Sequence, residues 1–258
     1  MPIQNRITQL FASGKKDLLS VYFTAGFPVL HSTLQIAKDL QEAGADFIEI
    51  GFPYSDPLAD GPVIQQSSQI ALKNGMNLEI LFEEIKDLRK EIHIPILLMG
   101  YFNPVLQYGV KRFCESCSLV GVDGIIIPDL PMTEYENLYK ETFLKYQLSN
   151  IFLVTPQSSE DRIRKIDSLT DGFIYLLSSS STTGQVGDLK QVTSEYLDRL
   201  KSMNLRNPLM VGFGISNHKA FQEVCQHTRG AIVGTAFIRA QNEGKSPHDF
   251  VQEIKGLS

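Results

Sequence analysis

The chain carries the run DFIEIGFPYSDPLADGP at residues 46–62, and the rest of the sequence is interpreted outward from it. The run begins as an apolar strand, which the carboxylate of Glu49 interrupts, and it continues into a loop that is rich in Gly and Pro and contains Asp56 and Asp60. A carboxylate inside a strand is costly to bury unless it has a partner or becomes neutral. We therefore predict that Glu49 is present for its chemistry, with a pKa raised towards neutral pH, where proton transfer is efficient.

Short apolar runs alternate with helical patterns on both sides of this stretch. Eight runs are nearly continuous, as is typical of parallel strands covered on both faces, and they lie at residues 18–23, 47–50, 94–99, 122–127, 151–154, 173–177, 209–213 and 231–233. Helices are predicted at residues 4–11, 32–43, 78–88, 110–118, 135–146, 161–169, 192–203, 219–226 and 249–255.

Eight strand–helix units in 258 residues predict an α/β fold, a single (β/α)8 TIM barrel. The predicted barrel forms one domain over residues 1–258 and has an extra N-terminal helix before its first strand. An open, doubly wound sheet is the main alternative.

The composition limits the partners, the location and the metal sites that we expect. The net charge is -5 and no basic block stands out, so we expect no nucleic-acid partner. No apolar run reaches the length of a membrane span, and the first residues lack the pattern of a signal peptide, so we expect a cytoplasmic location. The histidines lack metal-ligand spacing, and we interpret Cys114 and Cys117 as a helical pair rather than a metal or redox site.

Glycine-containing turns follow the last three predicted strands. They are STTG at residues 181–184, GFGIS at residues 212–216 and GTA at residues 234–236. Glycine lets backbone N–H groups approach an anion closely, and a following helix adds its dipole. Since these turns contain no Lys or Arg, we predict a phosphate site formed by backbone amides and hydroxyls, at the usual phosphate position of barrels.

Three polar residues near strand ends have less specific interpretations. Asp129 follows the fourth predicted strand and is interpreted as a cap of the next helix. Asp56 could be a turn residue. Tyr175, in the sixth predicted strand, could belong to the core with its hydroxyl satisfied locally.

Five motifs together resemble the tryptophan synthase α subunit family. They are the run at residues 46–62, YFTAGFP at 22–28, PDLP at 128–131, STTG at 181–184 and GFGIS at 212–216, in the family's order along essentially the whole chain. The resemblance implies a barrel that cleaves indole-3-glycerol phosphate to indole and glyceraldehyde 3-phosphate in tryptophan biosynthesis. This retro-aldol reaction, a carbon–carbon lyase reaction, needs no cofactor in this subunit.

The resemblance also implies roles for individual residues. Glu49 corresponds to the general acid and base, and Asp60 to a second catalytic carboxylate that stabilises a cationic intermediate. Substrate contacts are implied for Phe23, Tyr175 and Thr183. The implied phosphate site comprises Gly184, Phe213, Gly214, Gly234 and Thr235. The segment at residues 178–190 corresponds to a lid, in which Ser179, Ser181 and Thr182 depart from the Arg, Gly and Val of many members.

The family works with a β subunit, usually as α2β2, and indole passes between the subunits through a tunnel. The resemblance assigns the pyridoxal phosphate to that β subunit and implies an interface that includes Pro53, Asp56, Asn103 and Pro104. A freestanding lyase that releases indole, a non-catalytic regulatory barrel subunit and another phosphate-binding barrel, such as a sugar-phosphate isomerase, are the alternatives.

Overall fold

A ring of parallel strands forms the centre of the protein. The computed structural model describes residues 3–177, 194–212 and 214–257. The strands within these ranges are β1 Leu18–Thr24, β2 Phe47–Gly51, β3 Ile96–Met99, β4 Gly124–Ile126, β5 Ser149–Asn150, β6 Leu153–Val154, β7 Ile174–Leu177, β8 Leu209–Gly212 and β9 Gly230–Val233. They are hydrogen-bonded in the order β5-β4-β3-β2-β1-β9-β8-β7-β6, and every pair is parallel.

The ring closes between β5 and β6, which stand at the two ends of this order yet are neighbours in the chain. The N–H of Ile151 donates to the carbonyl of Ile125 at 3.0 Å, and the N–H of Tyr175 donates to the carbonyl of Phe152 at 3.1 Å. The short segment between β5 and β6 is therefore bonded to both of its neighbours. The predicted (β/α)8 barrel is confirmed, and the open doubly wound alternative, which has free sheet edges, is wrong. The predicted fifth strand at residues 151–154 overlaps β6 only, and the other short piece, β5, lies entirely before the predicted range.

The helices of the described residues alternate with these strands. They are α1 Arg6–Ala12, α2 Thr33–Glu42, α3 Pro62–Lys73, α4 Leu78–Glu84, α5 Leu88–Glu91, α6 Phe102–Tyr108, α7 Val110–Val120, α8 Met132–Glu134, α9 Lys140–Lys145, α10 Glu160–Leu169, α11 Ser194–Ser202, α12 His218–Cys225, α13 Thr235–Asn242 and α14 Pro247–Lys255. A π-helical turn, Tyr135–Tyr139, joins α8 to α9. No described helix is long and apolar enough to cross a membrane.

The two faces of the strands contribute to two separate cores. The inner core is formed by residues that point into the ring, among them Leu18, Phe47, Leu97, Ile126, Phe173, Tyr175, Met210 and Ile232. The outer core lies between strands and helices and includes Leu19, Val21, Phe23, Ile48 and Ile50. Because both faces are covered, the strand sequences are almost continuously apolar. Successive side chains alternate between the faces, so Glu49 points into the ring with Phe47.

Helix α1 covers the amino-terminal end of the ring. Its N-cap residue, Asn5, accepts hydrogen bonds from the N–H groups of Ile7 and Thr8. Ile7 and Phe11 are only 1% and 9% exposed and belong to the inner core. The predicted extra N-terminal helix therefore fills one end of the barrel, and the carboxyl ends of the strands remain for the site.

The cysteine pair is structural. Cys114 and Cys117 lie on α7, both are buried in the outer core, and neither forms a disulfide. Burial raises the pKa of the Cys114 thiol to about 12, which disfavours the reactive thiolate. The interpretation of this C-x-x-C as a helical pair is confirmed.

Replacing Ile7 with Ala should destabilise the protein by about 2–5 kcal/mol, because the truncation opens a cavity where α1 meets the inner core. Urea unfolding followed by circular dichroism measures the effect. Gln9→Ala, on the exposed side of the same helix, is the control and should change the free energy of unfolding by less than about 0.5 kcal/mol. Equal effects of the two changes would contradict the role of α1 as a plug.

Candidate active site

Glu49 is a carboxyl group enclosed in the barrel. It lies on β2, is 0% exposed, and its Oε1 accepts a hydrogen bond from the Ser20 hydroxyl of β1 at 3.1 Å. Its Oε2 is buried and has no hydrogen-bond partner among the described residues. Burial raises the pKa of Glu49 to about 8, and the bond from Ser20 opposes that rise only in part. Glu49 is therefore mostly protonated at neutral pH and has an oxygen free to exchange a proton.

Asp60 is a second carboxyl in a less enclosed position. It lies in the loop after β2, directly before Gly61, the N-cap residue of α3. Burial raises the pKa of Asp60 to about 6, and a hydrogen bond from the Tyr101 side chain opposes that rise. Asp60 is therefore mostly ionised at pH 7. A pair of carboxyls in one site with pKa values on either side of neutrality is the usual sign of divided acid and base roles.

Asp60 lines a cavity at the carboxyl ends of the strands, and Glu49 is the strand neighbour of Tyr22, another residue of its lining. The cavity is lined by Tyr22, Asp60, Ile64, Met99, Tyr175, Gly214, Ile215, Ile232, Gly234 and Thr235. Burial, and to a smaller extent the charge of Glu49, raises the pKa values of Tyr22 and Tyr175, two of these side chains. The charge of Asp60 also raises the pKa values of these two tyrosines. Tyr22 and Tyr175 thus lie within electrostatic range of both carboxyls.

The other side of the cavity is suited to an anion. Helix α13 begins at Thr235, and its N-cap residue, Gly234, supplies no side-chain cap. The first amides of a helix lack partners within the helix, and the helix dipole favours a negative charge there. Gly214, with φ of +79°, has a backbone conformation that glycine adopts without strain. These groups form a polar, mainly backbone surface opposite the carboxyls.

The structure brings five of the ten predicted catalytic, substrate and phosphate residues together in one cavity lining. Asp60, Tyr175, Gly214, Gly234 and Thr235 line the cavity. Thr183, Gly184, Phe213 and the lid segment with Ser179, Ser181 and Thr182 lie outside the described residues.

The predicted substrate contact of Phe23 needs correction. Phe23 is 0% exposed and packs in the outer core, on the side of β1 that faces the helices. Tyr22, the preceding residue, points into the cavity instead. Tyr22 is paired with Glu49 in the register of β1 and β2, so strand alternation from Glu49 could have identified it. Ile64, Met99 and Tyr101 were also missed, because they lie in other elements and no local pattern indicates them.

The four residues predicted to form an interface lie together in one surface groove. Pro53, Asp56, Asn103 and Pro104 line it. The side-chain amide of Asn103 donates to the Tyr54 hydroxyl at 3.1 Å, which joins the loops after β2 and β3. A small cavity lined by Tyr54, Tyr101 and Asp60, among others, lies between this groove and the active-site cavity.

Asp129 does not cap the next helix, as the sequence had suggested. Its Oδ1 accepts a hydrogen bond from the N–H of Phe102 at 2.9 Å, at the start of the earlier helix α6. The next helix, α8, follows Pro131 and has no side-chain cap among the described residues. Neighbouring carboxyl ends of strands are close in space, so a residue after β4 can satisfy a helix that follows β3.

Comparisons with known proteins identify the family of this chain. The family model described as tryptophan synthase alpha chain matches residues 8–256. The tryptophan synthase alpha chains of Flavobacterium psychrophilum and Flavobacterium johnsoniae are 52% and 51% identical to this chain, over 97% of it and 99% and 100% of their own lengths. The crystal structure of the tryptophan synthase alpha chain from Legionella pneumophila superposes with a TM-score of 0.84 at 33% identity, covering 98% of this chain and 97% of that one. The chain belongs to the tryptophan synthase alpha chain family, whose members are lyases that cleave indole-3-glycerol phosphate.

Proposed function

We propose that Glu49 and Asp60 together cleave indole-3-glycerol phosphate to indole and glyceraldehyde 3-phosphate in this chain. The observation that carries this proposal is that Asp60 lines the cavity and Glu49 is buried beside the lining residue Tyr22, with pKa values of about 6 and about 8 respectively. One is protonated and the other ionised at the same neutral pH, so a proton donor and a negative charge are available at once.

Glu49 supplies the proton transfers. Cleavage of the carbon–carbon bond requires a proton on the indole ring carbon and removal of a proton from the glycerol hydroxyl beside that bond. Protonated Glu49 donates the first proton, and its carboxylate then accepts the second. The bonding electrons return to the ring, the hydroxyl oxygen becomes the aldehyde oxygen, and Glu49 ends the cycle protonated. The Oε2 that has no partner among the described residues supports this role.

Asp60 stabilises the charge that forms between these two transfers. Protonation of the ring carbon leaves a positive charge near the ring nitrogen, and an ionised carboxylate beside it lowers the energy of this state. The position of Asp60 directly before α3 supports the ionised form, since a helix N-terminus favours negative charge.

The opposite side of the cavity holds the phosphate. The amides at Gly214, Gly234 and Thr235 and the Thr235 hydroxyl face the anion, and Tyr22 and Tyr175 lie between it and the carboxyls. Thr183 remains a predicted substrate contact, and Gly184 and Phe213 remain predicted parts of the phosphate site. The reaction as written uses side chains of this chain alone, so we propose no cofactor for it.

We also propose how the chain works with other molecules. The groove with Pro53, Asp56, Asn103 and Pro104 receives a β subunit that holds pyridoxal phosphate, in an α2β2 assembly. Residues 1–258 act as one barrel domain. The three free cysteines support a reducing compartment, the cytoplasm. A freestanding lyase is distinguished from this proposal by its rate, which would not rise when a β subunit is added to the purified chain.

Glu49→Gln should lower kcat by at least about 10³-fold, since it removes the proton transfers. Asp60→Asn should lower kcat by about 10²–10³-fold, since it removes the stabilising charge. Indole release from indole-3-glycerol phosphate measures both effects, and a Kd for inorganic phosphate within twofold of wild type shows that the site is intact.

The matched controls for these variants are Glu141→Gln and Asp161→Asn, which change exposed carboxylates on α9 and α10 and should leave kcat unaltered. Substantial turnover by Glu49→Gln would show that Glu49 does not carry out the proton transfers. A change confined to KM in Asp60→Asn would mean that Asp60 only binds substrate.

The pH dependence of kcat/KM should be bell-shaped, with limbs near pH 6 and pH 8. The rate falls below pH 6 because Asp60, with its pKa of about 6, becomes protonated. It falls above pH 8 because Glu49, with its pKa of about 8, loses the proton that it must donate. Asp60→Asn should lose the acid limb and keep the alkaline one. A flat profile between pH 5 and pH 9, with circular dichroism constant over the range, would contradict this assignment.

A further inference from the structure

We infer that Tyr101 is a positioning residue, whose hydroxyl holds Asp60 in its working place. This inference rests on the catalytic role proposed above for Asp60. Tyr101 directly follows the β3 strand and Gly100, and it stands before α6 as its N-cap residue. It is 7% exposed and, together with Asp60, lines the small cavity next to the active site.

The Tyr101 hydroxyl is bound to the loop that carries Asp60. The N–H of Ala59, one residue before Asp60, donates to this hydroxyl at 3.0 Å. A tyrosine hydroxyl has one proton to donate, besides the oxygen that accepts. Since the oxygen already accepts from Ala59, its proton is left for Asp60, which lines the same small cavity. One hydroxyl therefore holds the loop backbone directly before Asp60 and shares a cavity with the Asp60 side chain.

The ring of Tyr101 is itself held in place. It packs on the Tyr54 ring with centroids 5.3 Å apart and an angle of 33° between the rings. The Tyr54 hydroxyl in turn accepts from the Asn103 side chain. A donor that is fixed before the reaction begins stabilises charge without reorganising, which is what a catalytic carboxylate needs from its neighbour.

The electrostatic effect of this contact favours ionised Asp60. The titratable groups of the described residues that interact electrostatically with Asp60 are Tyr22 on β1, Tyr101 before α6 and Tyr175 on β7. Burial raises the pKa of Asp60, and the hydrogen bond from Tyr101 lowers it. Burial and the charge of Asp60, with a smaller effect of Asp129, raise the pKa of Tyr101, which therefore stays protonated and remains a donor.

Tyr101→Phe tests this inference, because it keeps the ring and its packing and removes only the hydroxyl. In the full chain, kcat at pH 7 should fall about tenfold, and the acid limb of kcat/KM should move up by about one pH unit, as expected for losing one charged hydrogen bond. The Kd for inorganic phosphate should remain within twofold of wild type.

Tyr139→Phe is the control, since Tyr139 packs against Phe102 with ring centroids 5.3 Å apart and is absent from the residues that line the cavity. It should match wild type in rate and pH profile. The inference is overturned if Tyr101→Phe also matches wild type, or if it loses the same factor at every pH with no shift of the acid limb. Full kcat in Asp60→Asn measured alongside would instead refute the proposed role of Asp60.

Discussion

The enclosure of one carboxyl, that of Glu49, inside the barrel is the constraint on which the rest of the site depends. The surroundings give it a single hydroxyl donor among the described residues, so the protonated form is favoured. Its pKa rises from an ordinary value of 4.5 to about 8. Because the folded state then holds a proton that the unfolded state loses, stability falls as pH rises between these two values. Keeping Glu49 as a proton donor in the folded state therefore lowers the stability of the protein at neutral pH.

The barrel encloses Glu49, and it also keeps the carboxyl ends of the strands open for the loops of the site. Strand alternation puts Glu49 in the inner core with Phe47, while α1 fills the amino-terminal end beneath it. The carboxyl ends of the strands stay available for loops, so Asp60 and the glycine turns can approach from above. A second carboxyl in a loop is less enclosed, which keeps its pKa two units lower than that of Glu49. The fold therefore creates the difference between the two acids mainly by depth, to which the hydrogen bonds of each carboxyl add.

The sequence predicted the barrel well because strand runs and helical stripes are local patterns. It placed eight strands, but it did not divide the fifth, since closure of the ring depends on contacts with Ile125 and Tyr175 in other strands. Helices α3, α6 and α13 were missed, because the segments where they begin were interpreted as the loop of Asp60, the interface with Asn103 and Pro104, and the phosphate turn of Gly234 and Thr235. Motif resemblance led to Phe23, whereas strand alternation places Tyr22 in the cavity. Tyr101 meets Ala59 across 42 positions, and no local pattern predicts such a contact.

The protonation state of Glu49 in the resting protein tests this account most directly. Carbon-13 NMR of labelled glutamate carboxyls, with the Glu49 signal assigned by its loss in Glu49→Gln, follows that state as pH is varied. The account predicts a midpoint near the value of about 8 that burial imposes. A midpoint near 4.5, the ordinary value, would contradict it, because Glu49 would then be ionised at neutral pH and could not donate the first proton.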